Sequence, residues 1–180
     1  MFPKRYADVV ARLRVPSGFL IVVVFAWFSQ PTLQSLVWGI PISLCGLALR
    51  AWAAGCLSKN QQLATGGPYA YTRNPLYVGT LLVAAGLAVA SRSTGLAILF
   101  AAVFLLVYLP VIQNEEQHLR KLFPEYAAYA QRVPALVGWV ADPPRHGAPF
   151  NWSLYVKNQE YQAGAGYLAG LLLLVYKALA

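Results

Sequence analysis

Residues 96–112 read Leu-Ala-Ile-Leu-Phe-Ala-Ala-Val-Phe-Leu-Leu-Val-Tyr-Leu-Pro-Val-Ile, and residues 113–123 continue as Gln-Asn-Glu-Glu-Gln-His-Leu-Arg-Lys-Leu-Phe. The first part carries no charge and approaches the ~20 residues that a helix needs to cross a hydrocarbon core of ~30 Å. Backbone inside lipid must satisfy its own hydrogen bonds, so the run is helical. It then passes into a polar stretch, which marks a membrane helix emerging into water.

The rest of the 180 residues fits that setting: 58% are apolar, 11% are charged and mean hydropathy is +0.51. Soluble domains carry charge at about a quarter of their positions, so a water-soluble globular fold is excluded. Four more apolar stretches, Pro16–Ser29, Thr32–Leu57, Leu76–Ala90 and Tyr161–Ala178, join Leu96–Ile112. The expected fold is all-α, a polytopic membrane bundle of about five transmembrane helices. Several of these stretches are short for the bilayer, so their helices extend through polar residues or thin the membrane.

Residues 1–15 place Phe2, Tyr6, Val9, Val10 and Leu13 at helical spacing opposite Lys4, Arg5, Asp8 and Arg12. That pattern predicts an interfacial amphipathic helix rather than a signal peptide. Residues 16–180 then form a single membrane domain.

The net charge of +8 is distributed unevenly. Lys4, Arg5, Arg12, Arg14, Lys59, Arg73, Arg120, Lys121, Arg132, Arg145 and Lys157 fall on one side of the predicted spans, against Arg92 and Lys177 on the other. The positive-inside rule puts the N-terminus in the cytoplasm. Every long polar segment is then cytoplasmic, and the protein sits in the inner or plasma membrane if its source is bacterial. The basic residues lie beside membrane segments and suit anionic lipid headgroups. They form no separate domain of the kind nucleic acid binding requires. Cys45 and Cys56 are about 16 Å apart on one helix, beyond disulfide reach. With His118 and His146 isolated, no metal site is expected.

Three features carry chemistry. Residues 66–79 read Gly-Gly-Pro-Tyr-Ala-Tyr-Thr-Arg-Asn-Pro-Leu-Tyr-Val-Gly. Asn74 is placed as an N-cap and Pro75 as the first helical residue, so a helix N-terminus suited to an anion points at the cytoplasmic surface. Arg73 adds a cation, and Tyr69, Tyr71 and Tyr77 offer rings for a flat ligand. Positive-inside anchoring by the same residues is the competing structural reading. In the second feature, Glu115-Glu116, helical continuation aligns Glu116 with Leu119 and Phe123, so one glutamate faces inward and the other meets water. After Pro124, Tyr126, Tyr129 and Arg132 recur at three-residue spacing before Val133-Pro134 ends the helix. The third is Arg50, roughly 10 Å inside its span. An intramembrane charge costs roughly 2.5–3.5 kcal/mol and points to function by default, with snorkelling as the alternative.

Taken together, Gly67-Pro68-Tyr69, Arg73-Asn74-Pro75-Leu76-Tyr77-Val78-Gly79, Glu115-Glu116, Leu119, Phe123, Tyr126, Tyr129 and Val133-Pro134 resemble, in order and interval, the membrane methyltransferases that include isoprenylcysteine carboxyl methyltransferases and phospholipid N-methyltransferases. The resemblance covers roughly residues 45–135. It implies a small helical membrane bundle with S-adenosylmethionine held at the cytoplasmic face, in a cofactor region spanning about 58–135. By resemblance the cofactor-binding residues are Tyr69, Arg73, Asn74, Pro75, Tyr77 and Glu116. Many carboxyl methyltransferases carry histidine where this chain has Asn74, so no acid–base role transfers to that position.

The expected reaction is carboxyl O-methylation of a lipophilic, isoprenylcysteine-like acceptor, a free lipophilic molecule or a lipidated partner. Arg50 or Arg132 would orient the carboxylate, and Glu115 or Glu160 would serve as base if the acceptor were instead a phospholipid or other amine. An NADPH-dependent membrane reductase and a non-catalytic membrane protein remain the other readings.

Overall fold

The computed structural model describes residues 6, 18, 20–138, 140 and 149–180. Among them all regular structure is helical. The expected interfacial helix over residues 1–15 lies outside the described residues apart from Tyr6, whose hydroxyl donates to the Leu106 carbonyl at 2.8 Å.

Helix α1 occupies residues 20–28. α2 runs Leu33–Gly55, α3 Pro75–Ser91 and α4 Thr94–Leu122; the short α5 is Tyr126–Arg132, α6 is Trp152–Lys157 and α7 is Tyr161–Leu179. α2, α4 and α7, at 23, 29 and 19 residues, are long and apolar enough to cross a membrane, and α3 is a shorter apolar helix of 17. Trp27, Val37, Trp38, Ile98, Leu105, Leu172 and Tyr176 stand exposed on the outer surface. Large apolar side chains turned outward from several long helices identify an integral membrane protein.

The four long helices, starting at Leu33, Pro75, Thr94 and Tyr161, begin close to the predicted spans. α4 overruns its apolar core and carries the Glu115-Glu116 stretch as helix, as expected. Inside it, Phe104–Tyr108 adopts a π-turn that the sequence did not announce. Such turns shift the register of every residue that follows.

α2 and α3 pack more closely than any side chain larger than glycine would allow at their crossing. A Cβ on Gly79 would lie 2.5 Å from the Arg50 Cγ and 2.7 Å from the Gly46 carbonyl oxygen. Small residues permit this backbone approach, which is how helices gain packing energy where lipid supplies no hydrophobic drive. Ser35 and Ser43 add hydrogen bonds to the carbonyls of Ala90 and Val83, at 2.8 and 3.2 Å.

Two apolar clusters close the ends of the bundle. Phe25, Leu36, Ala90, Leu96 and Leu174 form one, near the short turns after α1 and α3. Lys177 ties α7 to this end by donating to the Ala26 carbonyl at 2.9 Å, where a cation suits the C-terminus of α1. Tyr126, Tyr129 and Val133 form the other cluster, packed against Leu63, Leu119 and Phe123. The C-terminal ends of α2 and α4 and the N-terminal ends of α3 and α7 all converge on this second end, which holds the site.

Candidate functional site

The two motif-bearing segments hold each other. Gly67, at φ 58°, opens a 3-10 turn over Gly67–Ala70 that glycine alone enters without strain. From there the chain is bonded to α5 and the residues just after it. The Arg73 amide donates to the Pro134 carbonyl at 2.9 Å, the Thr72 hydroxyl to Ala135 at 3.2 Å, and the Tyr129 hydroxyl to the Tyr69 carbonyl at 2.7 Å. Arg73 is fixed further by Ala130, whose carbonyl accepts from Nη1 at 2.8 Å, and by an ion pair to Glu116 with Nε–Oε1 at 3.0 Å. With 13% and 16% of their side chains exposed, these two charges form a partly buried lock between α4 and the turn before α3.

Asn74 occupies the predicted N-cap position and Pro75 starts the helix, but the capping interaction differs from expectation. Its backbone carbonyl accepts from the amides of Tyr77 and Val78, while its side chain turns away to donate to Glu116 at 3.2 Å and to the Ala135 carbonyl at 2.9 Å. The amide group therefore joins the lock rather than closing its own helix.

A cavity of about 1330 Å³ opens beside this lock. Pockets for small molecules commonly measure ~300–1,000 Å³, so there is room for two ligands side by side. Five of the six expected cofactor residues, Tyr69, Arg73, Asn74, Pro75 and Tyr77, line it. Glu116 does not line it and binds Arg73 and Asn74, whereas Glu115 faces the cavity and accepts from the Tyr77 hydroxyl at 2.8 Å. The adjacent glutamates are thus divided as expected, one inward and one toward solvent-accessible space. The Tyr77 ring meets Tyr108 edge-on, with centroids 5.9 Å apart, so a carboxylate and two aromatic rings share one wall.

At the other end of the cavity Arg50 is paired. Its Nε and Nη2 grip the two oxygens of Glu160 at 2.6 and 3.1 Å in a fork, and its Nη1 donates to the Leu76 carbonyl at 3.3 Å and to the Thr80 hydroxyl. Arg50 is therefore anchored by α3 on one side and by the start of α7 on the other, and it does not snorkel. Arg132 is exposed at the end of α5 and does not line the cavity. The structure thus brings Arg50 and Glu115 to the cavity among the expected catalytic residues and leaves Arg132 outside it.

Tyr108, His118 and Thr80 line the cavity without having been singled out for it. His118 lies three residues after Glu115, a spacing that puts both on one helix face. Tyr126 is fully buried, and its hydroxyl is pushed up to about 12 by burial, with the Glu116 carboxylate adding to the shift and Arg73 and Arg120 opposing it. Burial likewise raises Tyr69 and Tyr129 above the usual phenol range.

The phospholipid methyltransferase family profile matches residues 35–126, just over half of the chain, and the protein belongs to that family. Its matched region holds Arg50, the turn before α3 and Glu115-Glu116, while α6 and α7 lie beyond it. Among characterised proteins it is 39% identical over 111 residues to the cobalt-zinc-cadmium resistance protein CzcN of Cupriavidus metallidurans, covering 61% of this chain and 50% of that protein. It is 37% identical over 111 residues to the nickel-cobalt-cadmium resistance protein NccN of Alcaligenes xylosoxydans xylosoxydans, covering 61% and 51%. Over 138 residues it is 30% identical to the protein-S-isoprenylcysteine O-methyltransferase of Schizosaccharomyces pombe, covering 73% of this chain and 58% of that one. The chain thus spans about half the length of the curated relatives it matches. No solved structure matches it.

Proposed function

We propose that the protein is an S-adenosylmethionine-dependent methyltransferase acting at the cytoplasmic membrane face, and that its acceptor is a lipophilic carboxylate. The observation that carries the reading is the single cavity in which Glu115, Tyr77 and Tyr108 at one end face Arg50 and Glu160 at the other. Family membership supports methyl transfer in general. The name of the Schizosaccharomyces pombe relative supports a prenyl-cysteine-like carboxyl acceptor.

The side chains suit the cofactor's charges. Glu115 suits an ammonium, the faces of Tyr77 and Tyr108 suit a cation such as a sulfonium, and the N-terminal end of α3 suits a carboxylate. When bound, S-adenosylmethionine supplies an electrophilic methyl group. The protein's own task is then positioning and exclusion of water. Glu115 and Tyr77 orient one ligand; the buried Tyr69 and Tyr129 wall off the site and stay protonated at neutral pH. A carboxylate acceptor needs no base, so no proton has to leave the site.

Methyl transfer to an amine is the second reading, favoured by the family's name and by Glu115, which would accept the proton. Calorimetric titration of the detergent-purified protein with S-adenosylmethionine, S-adenosylhomocysteine and NADPH tests the core of the proposal. Saturable binding of the two adenosyl ligands, weakened roughly 10-fold or more in Glu115→Gln by loss of a charged hydrogen bond, is the expected result. Binding of NADPH alone, or of none of the three, overturns it. Radiolabelled methyl transfer to lipophilic carboxylates and to amines then separates the two acceptor readings.

A further inference from the structure

The fork between Arg50 and Glu160 raises a question of geometry. Arg50 lies within the family-matched region, and Glu160 lies beyond it, at the residue before α7. The preceding residue, Gln159, sits at φ 56°, in the left-handed region that an unbranched polar side chain enters at some cost. Asn158 pins this corner by donating to the carbonyls of Ala54 and Leu57, both at 2.9 Å. The chain is thus turned so as to deliver a carboxylate into the cavity. Glu160 makes no capping hydrogen bond to its own helix, and its carboxylate goes to Arg50.

Arg50 is held independently. Its Nη1 is fixed on α3 by Leu76 and Thr80, and Gly79 leaves the room through which its side chain passes. The Nε–Nη2 edge therefore presents a preorganised fork whose shape matches one planar carboxylate. Glu160 fills it from the cavity side, with the arginine side chain 22% and the glutamate 9% exposed.

We propose that the Arg50 fork is the carboxylate-binding site for the acceptor, and that Glu160 is a built-in counterion which the acceptor's carboxylate displaces. This rests on the methyltransferase reading above. It explains how a cation is kept at this depth without standing uncompensated between turnovers. It also gives product release a direction. Methylation converts an anionic acceptor to a neutral ester, which competes poorly for the fork, so Glu160 closes back onto Arg50 as the ester leaves.

Dodecanoate and its methyl ester serve as probes, titrated calorimetrically against the 180-residue chain in one detergent. In Glu160→Gln the competing anion is removed, so dodecanoate binds at least 10-fold tighter than to the unsubstituted protein, while methyl dodecanoate does not. Arg50→Met and the double variant Arg50→Met/Glu160→Gln lose the gain. The double variant, lacking an uncompensated charge, separates a lost site from a misfolded protein, and retained S-adenosylmethionine binding in each variant reports an intact cofactor end. Dodecanoate binding that is unchanged in Glu160→Gln overturns the exchange and makes the pair a structural tie between α2 and α7. Preference of that variant for dodecyl phosphate over dodecanoate overturns the carboxylate assignment. Because binding is read without turnover, failure here is distinguishable from failure of the methyltransferase reading, which shows as absent S-adenosylmethionine binding in the unsubstituted protein.

Discussion

Arg73 and Glu116 look like ligand residues in the sequence, and in the fold they pair with each other while Arg73 also lines the cavity. The guanidinium is shared between a carboxylate and the Ala130 carbonyl, and the carboxylate is shared between Arg73 and Asn74. Removing one partner leaves a desolvated charge behind, which costs about 3 kcal/mol or more for a buried pair. Arg73→Met and Glu116→Met should therefore each lower the thermal midpoint of the protein without ligand, and the double variant Arg73→Met/Glu116→Met should lose less than the sum of the two. Additive losses in thermal denaturation would show that the two charges act separately. Tyr126, next to this lock, titrates in the folded protein at about 12, against about 10 for an unperturbed phenol. A raised folded-state value means that the folded form keeps its proton longer, so Tyr126 contributes stability in full below about pH 10 and loses it as pH rises toward 12. Tyr126→Phe should unfold less steeply across that alkaline window, and a denaturation series against pH reads the difference directly.

Among the elements, those set by local chemistry were the legible ones. Asn74-Pro75 starts α3, Val133-Pro134 ends α5, and the Glu115-Glu116 stretch continues α4. Periodicity showed that the two glutamates would face different ways but not which of them would reach the cavity, and Glu115, rather than the expected Glu116, lines it. Two features were not legible, for different reasons. The pairing of Arg50 with Glu160 spans 110 positions, and no local pattern announces it. The π-turn at Phe104–Tyr108 sits in a uniformly apolar run where hydropathy carries no register. Arg132 illustrates the converse, since three-residue spacing aligned it with Tyr126 and Tyr129 but did not reveal that it would be exposed and outside the cavity. At the α2–α3 crossing, Gly79 is a small residue on an apolar helix, the kind that lets neighbouring helices approach closely. Gly79→Ala should displace Arg50 or separate the two helices, because the added methyl would lie 2.5 Å from the Arg50 side chain and 2.7 Å from the backbone of Gly46. Overpacking of this kind costs roughly 1–3 kcal/mol, and a lowered thermal midpoint with Gly164→Ala as a neutral control, where a Cβ meets nothing within 4 Å, would register it.

At the scale of the whole molecule, the cavity, the lock and the Arg50–Glu160 fork share one end of the bundle, so function depends on which side of the membrane that end faces. The basic residues predict the cytoplasm, because translocating lysine and arginine is disfavoured. Lys59 and Lys121 belong to the site end, and Arg92, at φ 54° after α3, belongs to the opposite end. In a background with Cys45→Ser and Cys56→Ser, a single cysteine at position 121 should react with a membrane-impermeant maleimide in inverted vesicles but not in right-side-out vesicles or intact cells, and one at position 92 should do the reverse. Labelling of both from the same side would mean that α4 does not cross the bilayer between them, despite its 29 residues. Reversed labelling would put the cavity outside, away from cytoplasmic S-adenosylmethionine. A small soluble cofactor with a carboxylate and two cationic centres does not cross lipid unaided, so orientation and activity stand or fall together: a chain that binds the cofactor in detergent but faces outward in the membrane would have no supply of methyl groups.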